Sequence, residues 1–144
     1  MRELPRKLSV EQLAELFEGR TRFVERLAEL GDPLGRARDV AASLTDDEKK
    51  EVLDAHPAIG EKKAKLSARS AAEQGAAHVP PELLELNRRY EERFGFRFVV
   101  FVNRRPKSEL VPILRERLDR TREEELATAL DELVSIAIDR WQRA

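Results

Sequence analysis

An all-α, single-domain helical bundle is the fold this sequence predicts, and three observations predict it. Four stretches open with a helix start signal and continue with apolar residues at helical spacing. Only one segment, "FRFVVFV" at 96–102, has the composition of a buried strand, and no second segment of similar quality exists to pair with it. The length, 144 residues, suits one domain (1–144) with a core of ordinary size, and neither an internal repeat nor a long linker divides it.

The elements follow in order. "SVEQLAELFEGRTRFVERLAEL" begins with Ser9 and has Gln12 three residues on, a capping-box pattern. Leu13, Leu16, Phe17, Val24 and Leu27 make its apolar face, and Gly19 is placed to divide it. "TDDEKKEVLDA" repeats the start signal with Thr45 and Glu48, and it ends near Ala55 because the residue before Pro57 is driven out of the α region. "VPPELLELNRRYEERFGF" puts Pro81 at a first helical position, ahead of Leu83, Leu84, Leu86 and Tyr90. The last helix, "TREEELATALDELVSIAIDRW", starts with Thr121 and Glu124. The pattern leaves "FRFVVFV" as either a buried helix of poor propensity or an extended segment crossing a helical core.

Composition removes several function classes. Apolar residues are 41% and charged residues 38%, which describes a folded chain with a heavily solvated surface. The net charge of −1, with acids and bases interleaved, argues against a nucleic-acid footprint, which needs a clustered basic face. With no cysteine, disulfides, thiolate chemistry and cysteine-bound zinc are excluded. Two histidines without a supporting cluster argue against a zinc site of any other kind. No apolar run reaches membrane-spanning length, "MRELPRKLSV" lacks the apolar core of a signal peptide, and "DRWQRA" carries no targeting tripeptide, so a cytoplasmic protein is expected.

Three places could carry chemistry. His56, in "DAHPAIG", is either a helix-end group satisfying backbone carbonyls or a proton carrier. Imidazole, with a reference pKa of about 6.5, exchanges protons near neutrality, and Pro57 restricts the backbone beside it. In "SAAEQG", a helical Ser70, Glu73 and Gln74 share one face among Ala71, Ala72, Gly75, Ala76 and Ala77. That is either solvated surface or a polar triad with room for a ligand. In the last helix Leu126, Leu130, Leu133 and Ala137 follow alternating steps of four and three, and the next step lands on Arg140. A guanidinium on a buried stripe is either exposed by fraying of the helix end or meets an anion. His78 and the basic turn "NRRPK" read as surface.

Taken together, "HPAIGEK", "SAAEQGA", "LNRRYEERFGFRFVVFVNRRPKSEL" and "ERLDRTREEELATALDELVSIAIDR" resemble, in order and spacing, the 2-oxo-4-hydroxy-4-carboxy-5-ureidoimidazoline (OHCU) decarboxylases of urate breakdown. The resemblance runs from about Ser9 to Arg140. It implies an all-helical domain, a homodimer, and a carbon–carbon lyase that forms (S)-allantoin and carbon dioxide without metal or organic cofactor. It implies that His56, Glu73 and Arg140 are catalytic. It also implies that Pro57, Ser70, Ala71, Ala72, Gln74 and the segment Phe98, Val99, Val100, Phe101 and Val102 contact the substrate, a small molecule, and that this segment is extended. Arg104 departs from the glycine common there, and the connection from His56 to Glu73 is short. On this reading a neighbouring Glu73 carboxylate raises the His56 pKa, and the apolar Ile136, Ile138 and Trp141 of the last helix serve a dimer. The competing readings are a non-catalytic helical scaffold of the same fold and an enzyme acting on a related ureido acid.

Overall fold

The computed structural model describes residues 2–57 and 80–143. Seven α-helices lie in these residues: α1 (Val10–Leu16), α2 (Arg22–Ala28), α3 (Pro33–Ser43), α4 (Asp46–Asp54), α5 (Pro81–Phe94), α6 (Leu110–Leu118) and α7 (Arg122–Arg143). A 3₁₀ turn, Lys107–Glu109, leads into α6. The described residues contain no strand, so the all-α expectation holds.

The long helix α7 is the spine. Its 22 residues rise about 33 Å, and α1, α3 and α4 all pack against it. Thr121 and Glu124 cap its start reciprocally, at 3.0 and 3.1 Å. Its buried stripe includes Leu126, Leu130, Leu133, Ala137 and Arg140, the series the sequence spacing picked out. The other two capping boxes form as well, Ser9 with Gln12 and Thr45 with Glu48.

The first long apolar pattern is two helices. It breaks at residues 17–21, where Glu18 adopts a left-handed backbone (φ 65°) and Thr21 restarts the chain by accepting from the Val24 amide at 3.3 Å. Gly19 suits this turn for a reason of contact. A Cβ placed on it would stand 3.3 Å from the Ala55 Cβ, so the turn lies directly against the end of α4. Helices α3 and α6 carry weaker patterns and have no counterpart in the sequence reading. Each has proline in its first turns, and α3 buries Leu34, Ala37 and Ala41.

Residues 97–102 are neither helix nor strand, and they run through the core as the extended segment. Phe96, Phe98, Val99, Val100 and Val102 are buried, and Phe101 is partly so. Burial on both faces explains the unbroken apolar run. With no neighbouring strand among the described residues, side chains take the place of a ladder. The Arg97 amide donates to Asp54 Oδ1 at 3.0 Å, and the Phe101 amide donates to Glu132 Oε1 at 3.3 Å. The Val99 carbonyl accepts from Arg117 at 3.0 Å, while Arg105 serves the carbonyls of Phe101 (2.5 Å) and Val102 (3.0 Å).

A buried polar cluster anchors this arrangement. Glu125 is fully buried on α7. Its Oε1 accepts from Tyr90 Oη and Arg117 Nε, each at 2.7 Å, and its Oε2 accepts from Arg120 at 2.9 Å. The Arg117 guanidinium also lies 4.6 Å from the Phe98 ring centroid. Burial first, and then the bond to Glu125, push the Tyr90 phenol above its ordinary pKa, so it stays protonated and donates. Removing one member leaves buried charge uncompensated. Glu125→Gln should therefore cost on the order of 3 kcal/mol in urea denaturation. Arg38→Ala, which breaks an exposed pair with Asp131, should leave the transition almost unmoved.

Candidate active site

The turn after α4 carries His56. Its amide donates to the Leu53 carbonyl at 3.2 Å, which closes the helix before Pro57 as the proline dictates. Its own carbonyl accepts from the Arg97 guanidinium. Together with the bond from the Arg97 amide to Asp54, this ties the end of α4 to the start of the extended segment. His56 is only 5% exposed, and its Nε2 is buried with no hydrogen-bond partner among the described residues. A helix-end histidine serving carbonyls would have spent that nitrogen. A buried ring nitrogen with no partner among the described residues is instead a candidate to bind a substrate group.

Arg140 reaches the same region from the far end of the chain. It is 4% exposed, and α7 continues past it to Arg143, so fraying does not explain its place on the buried stripe. One Nη donates to the Leu16 carbonyl at 2.9 Å, and the other lies 3.0 Å from Glu18 Oε1. Both partners belong to the turn between α1 and α2. The Glu18 side chain is itself only 12% exposed.

The charges around His56 act against its protonation. Burial is the largest cause, the Arg140 guanidinium is next, and Arg97 adds to both, while Glu18 pulls the other way. The pKa falls to about 3. The imidazole is therefore neutral at physiological pH, contrary to the raised value expected from the sequence. The physical reason is that two guanidiniums and a dry environment outweigh the carboxylate that faces them.

His56 and Arg140 are thus brought together. Pro57 lies partly exposed beside His56. Phe98, Val99, Val100, Phe101 and Val102 lie in the extended segment, whose observed link to His56 runs through Arg97. Ser70, Ala71, Ala72, Glu73 and Gln74 lie outside the described residues, as does His78.

Two site residues escaped sequence reasoning. Arg97 is a lone charge inside an apolar run, and Glu18 sits beside the glycine that interrupts a helical face. Both signals were present, and neither specifies a partner.

With this geometry in place, comparison with known proteins is decisive. The OHCU decarboxylase family model matches residues 2–142. The chain belongs to the OHCU decarboxylase family. It is 30% identical over 111 residues to the uric acid degradation bifunctional protein of Bacillus sp. (strain TB-90), covering 72% of this chain and 22% of that protein. It is 34% identical over 94 residues to the 2-oxo-4-hydroxy-4-carboxy-5-ureidoimidazoline decarboxylase of Haloferax volcanii, covering 60% of this chain and 55% of that one. The chain thus spans from about a fifth to just over half the length of these curated relatives. The crystal structure of an OHCU decarboxylase determined with (S)-allantoin superposes with a TM-score of 0.72 at 23% identity, covering 90% of this chain and 94% of that chain. At that identity the superposition establishes the fold. An (S)-allantoin synthase structure matches at TM-score 0.66, covering 91% of this chain and 47% of that one.

The low pKa of His56 has a stability consequence for this OHCU decarboxylase-family chain. Between pH 6.5 and about 3, the unfolded chain binds a proton at His56 that the folded protein refuses. Stability is therefore full above pH 6.5 and falls as pH drops through that window. At pH 5 the loss from this group is about 2 kcal/mol. A thermal-melt series should show His56→Asn losing less stability than wild type between pH 6.5 and 5, above the range where most carboxylates titrate.

Proposed function

We propose that this protein decarboxylates 2-oxo-4-hydroxy-4-carboxy-5-ureidoimidazoline to (S)-allantoin, the last step of urate oxidation. We take residues 1–144 to act as one domain of a cytoplasmic homodimer. The buried Nε2 of His56, without a hydrogen-bond partner among the described residues and beside the buried Arg140, is the observation that carries this reading. Family membership supports it, and so do the names of the relatives.

The chemistry asks little of a protein. The bond from the ring carbon to the carboxylate breaks, and its electron pair flows toward the adjacent ring C=N. Carbon dioxide leaves, the ring nitrogen that receives the pair takes up a proton from water, the hydroxyl on the same carbon loses its proton to become a carbonyl, and a proton is added to one face of the neighbouring carbon. The substrate thus holds its own electron sink, the service that pyridoxal or thiamine supplies in other decarboxylases.

His56, neutral at physiological pH, accepts the hydroxyl proton and returns one to carbon. General acid–base help of this kind is worth about 10²–10⁴-fold. Arg140 meets the substrate carboxylate or the charge that develops from it. Glu73 shares the proton work. Pro57, Ser70, Ala71, Ala72, Gln74 and residues 98–102 shape the pocket.

The homodimer rests on the family likeness. The apolar face of the last helix supports it less, because the chain itself covers part of that surface. The Trp141 Nε1 donates to the Glu3 carbonyl at 2.7 Å, Arg2 stacks 3.6 Å from the Trp141 ring, and Ile136 is buried.

Freshly generated ureidoimidazoline followed by circular dichroism tests the reaction, with (S)-allantoin as the enantiomer expected. His56→Asn should fold and lose the enzymatic component of turnover. Arg140→Lys should impair turnover although it keeps the charge, since a planar guanidinium fork is not replaced by an ammonium. Near wild-type rates in either variant would remove that residue from the mechanism. The wild-type protein should sediment at about twice the chain mass of 16.5 kDa.

A further inference from the structure

We propose that Glu18 is a positioning residue of this site, whose carboxylate fixes the Arg140 guanidinium and supplies the negative charge against which His56 takes up a proton. The inference rests on the decarboxylase reading above and adds a residue to it.

Geometry carries the first half. Both of the Arg140 contacts described above fall on one short turn, the Leu16 carbonyl at 2.9 Å and Glu18 Oε1 at 3.0 Å. A hydrogen bond on one Nη and a carboxylate against the other, both from one short turn, restrict the plane and direction of the guanidinium. Arg140 is buried and Glu18 largely so, with side chains 3% and 12% exposed, so solvent screening weakens the pair only modestly.

Glu18 also occupies a costly position. It is a non-glycine residue at φ 65°, and such backbone conformations cost on the order of 1–3 kcal/mol. The turn reaches the His56 region because Gly19 admits the approach of Ala55, one residue before His56, where a Cβ would stand at 3.3 Å. The strained turn therefore brings the Glu18 carboxylate and its Arg140 partner within electrostatic reach of the histidine, and strain of this kind collects at functional sites.

The second half follows from the sign of the charges. When the neutral imidazole takes the hydroxyl proton, an imidazolium forms beside the Arg140 and Arg97 guanidiniums, both of which oppose it. Glu18 acts in the opposite direction. Its contribution grows as the proton moves to His56, so it lowers the barrier more than it strengthens substrate binding. A merely structural pair has no such signature.

Glu18→Gln keeps the size and one acceptor but removes the charge. In the circular dichroism assay its kcat should fall about 10²-fold, while KM stays level or drops because the site has gained net positive charge. The fold should persist. Wild-type kcat in this variant overturns the proposal, and so does a raised KM with intact kcat, which would make Glu18 a binding group.

The Arg140 Nη signals in ¹⁵N-resolved spectra, assigned by comparison with Arg140→Lys, give a readout independent of turnover. In Glu18→Gln the signal of the Nη that lies 3.0 Å from the carboxylate should shift and broaden. Unchanged signals overturn the positioning role. If wild-type protein forms no (S)-allantoin, the functional reading fails, and these spectra still decide whether Glu18 holds Arg140.

Discussion

A guanidinium buried at the end of a long helix must be met by acceptors, and in this protein that requirement organises the site. Leaving Arg140 unpaired on the stripe of α7 would be strongly destabilising. The turn between α1 and α2 supplies two of its contacts, so that turn cannot be a loose connection. It has to bring the Leu16 carbonyl and the Glu18 carboxylate inward, which it does at the expense of a left-handed residue. It also has to pass closely under the end of α4, which explains glycine at position 19. The consequence for His56 is electrostatic. Arg140 and Arg97 hold it neutral, and Glu18 keeps the opposition from being complete.

The same logic governs the extended segment. A chain crossing a helical core without a partner strand would bury unsatisfied amides and carbonyls at a cost of about 1–3 kcal/mol each. Here Asp54, Glu132, Arg117 and Arg105 supply the missing partners, each from a helix or turn already fixed by other contacts. Glu125 then holds Arg117 in place. Charged side chains thus replace a β-ladder, and the segment bearing Arg97 runs a defined course past His56.

Much of this was legible in the sequence. Three capping boxes and the stripe from Leu126 to Arg140 depend on local chemistry and a fixed helical period, so a linear reading recovers them. The His56 turn follows from Pro57. What the sequence concealed were partners brought together by tertiary structure. Nothing local says that Glu18 faces Arg140, or that Glu125, in an acidic first helical turn, lies at the centre of a buried cluster and not on a solvated end. The lowered pKa of His56 departs from the sequence expectation for the same reason. The sequence suggested one acidic neighbour, whereas the fold supplies two guanidiniums and removes the water.

The central claim is that His56 is a neutral, desolvated base. Its imidazole carbon-bound proton shift, followed by NMR across about pH 5–8 and assigned by comparison with His56→Asn, tests that claim most directly. A free histidine titrates with a midpoint near 6.5. His56 should show a flat response across this range, its midpoint lying far below at about 3. A full titration centred at or above 6.5 would contradict the account, because the ring would then be held as an imidazolium at neutral pH and would have no vacancy for the substrate's proton.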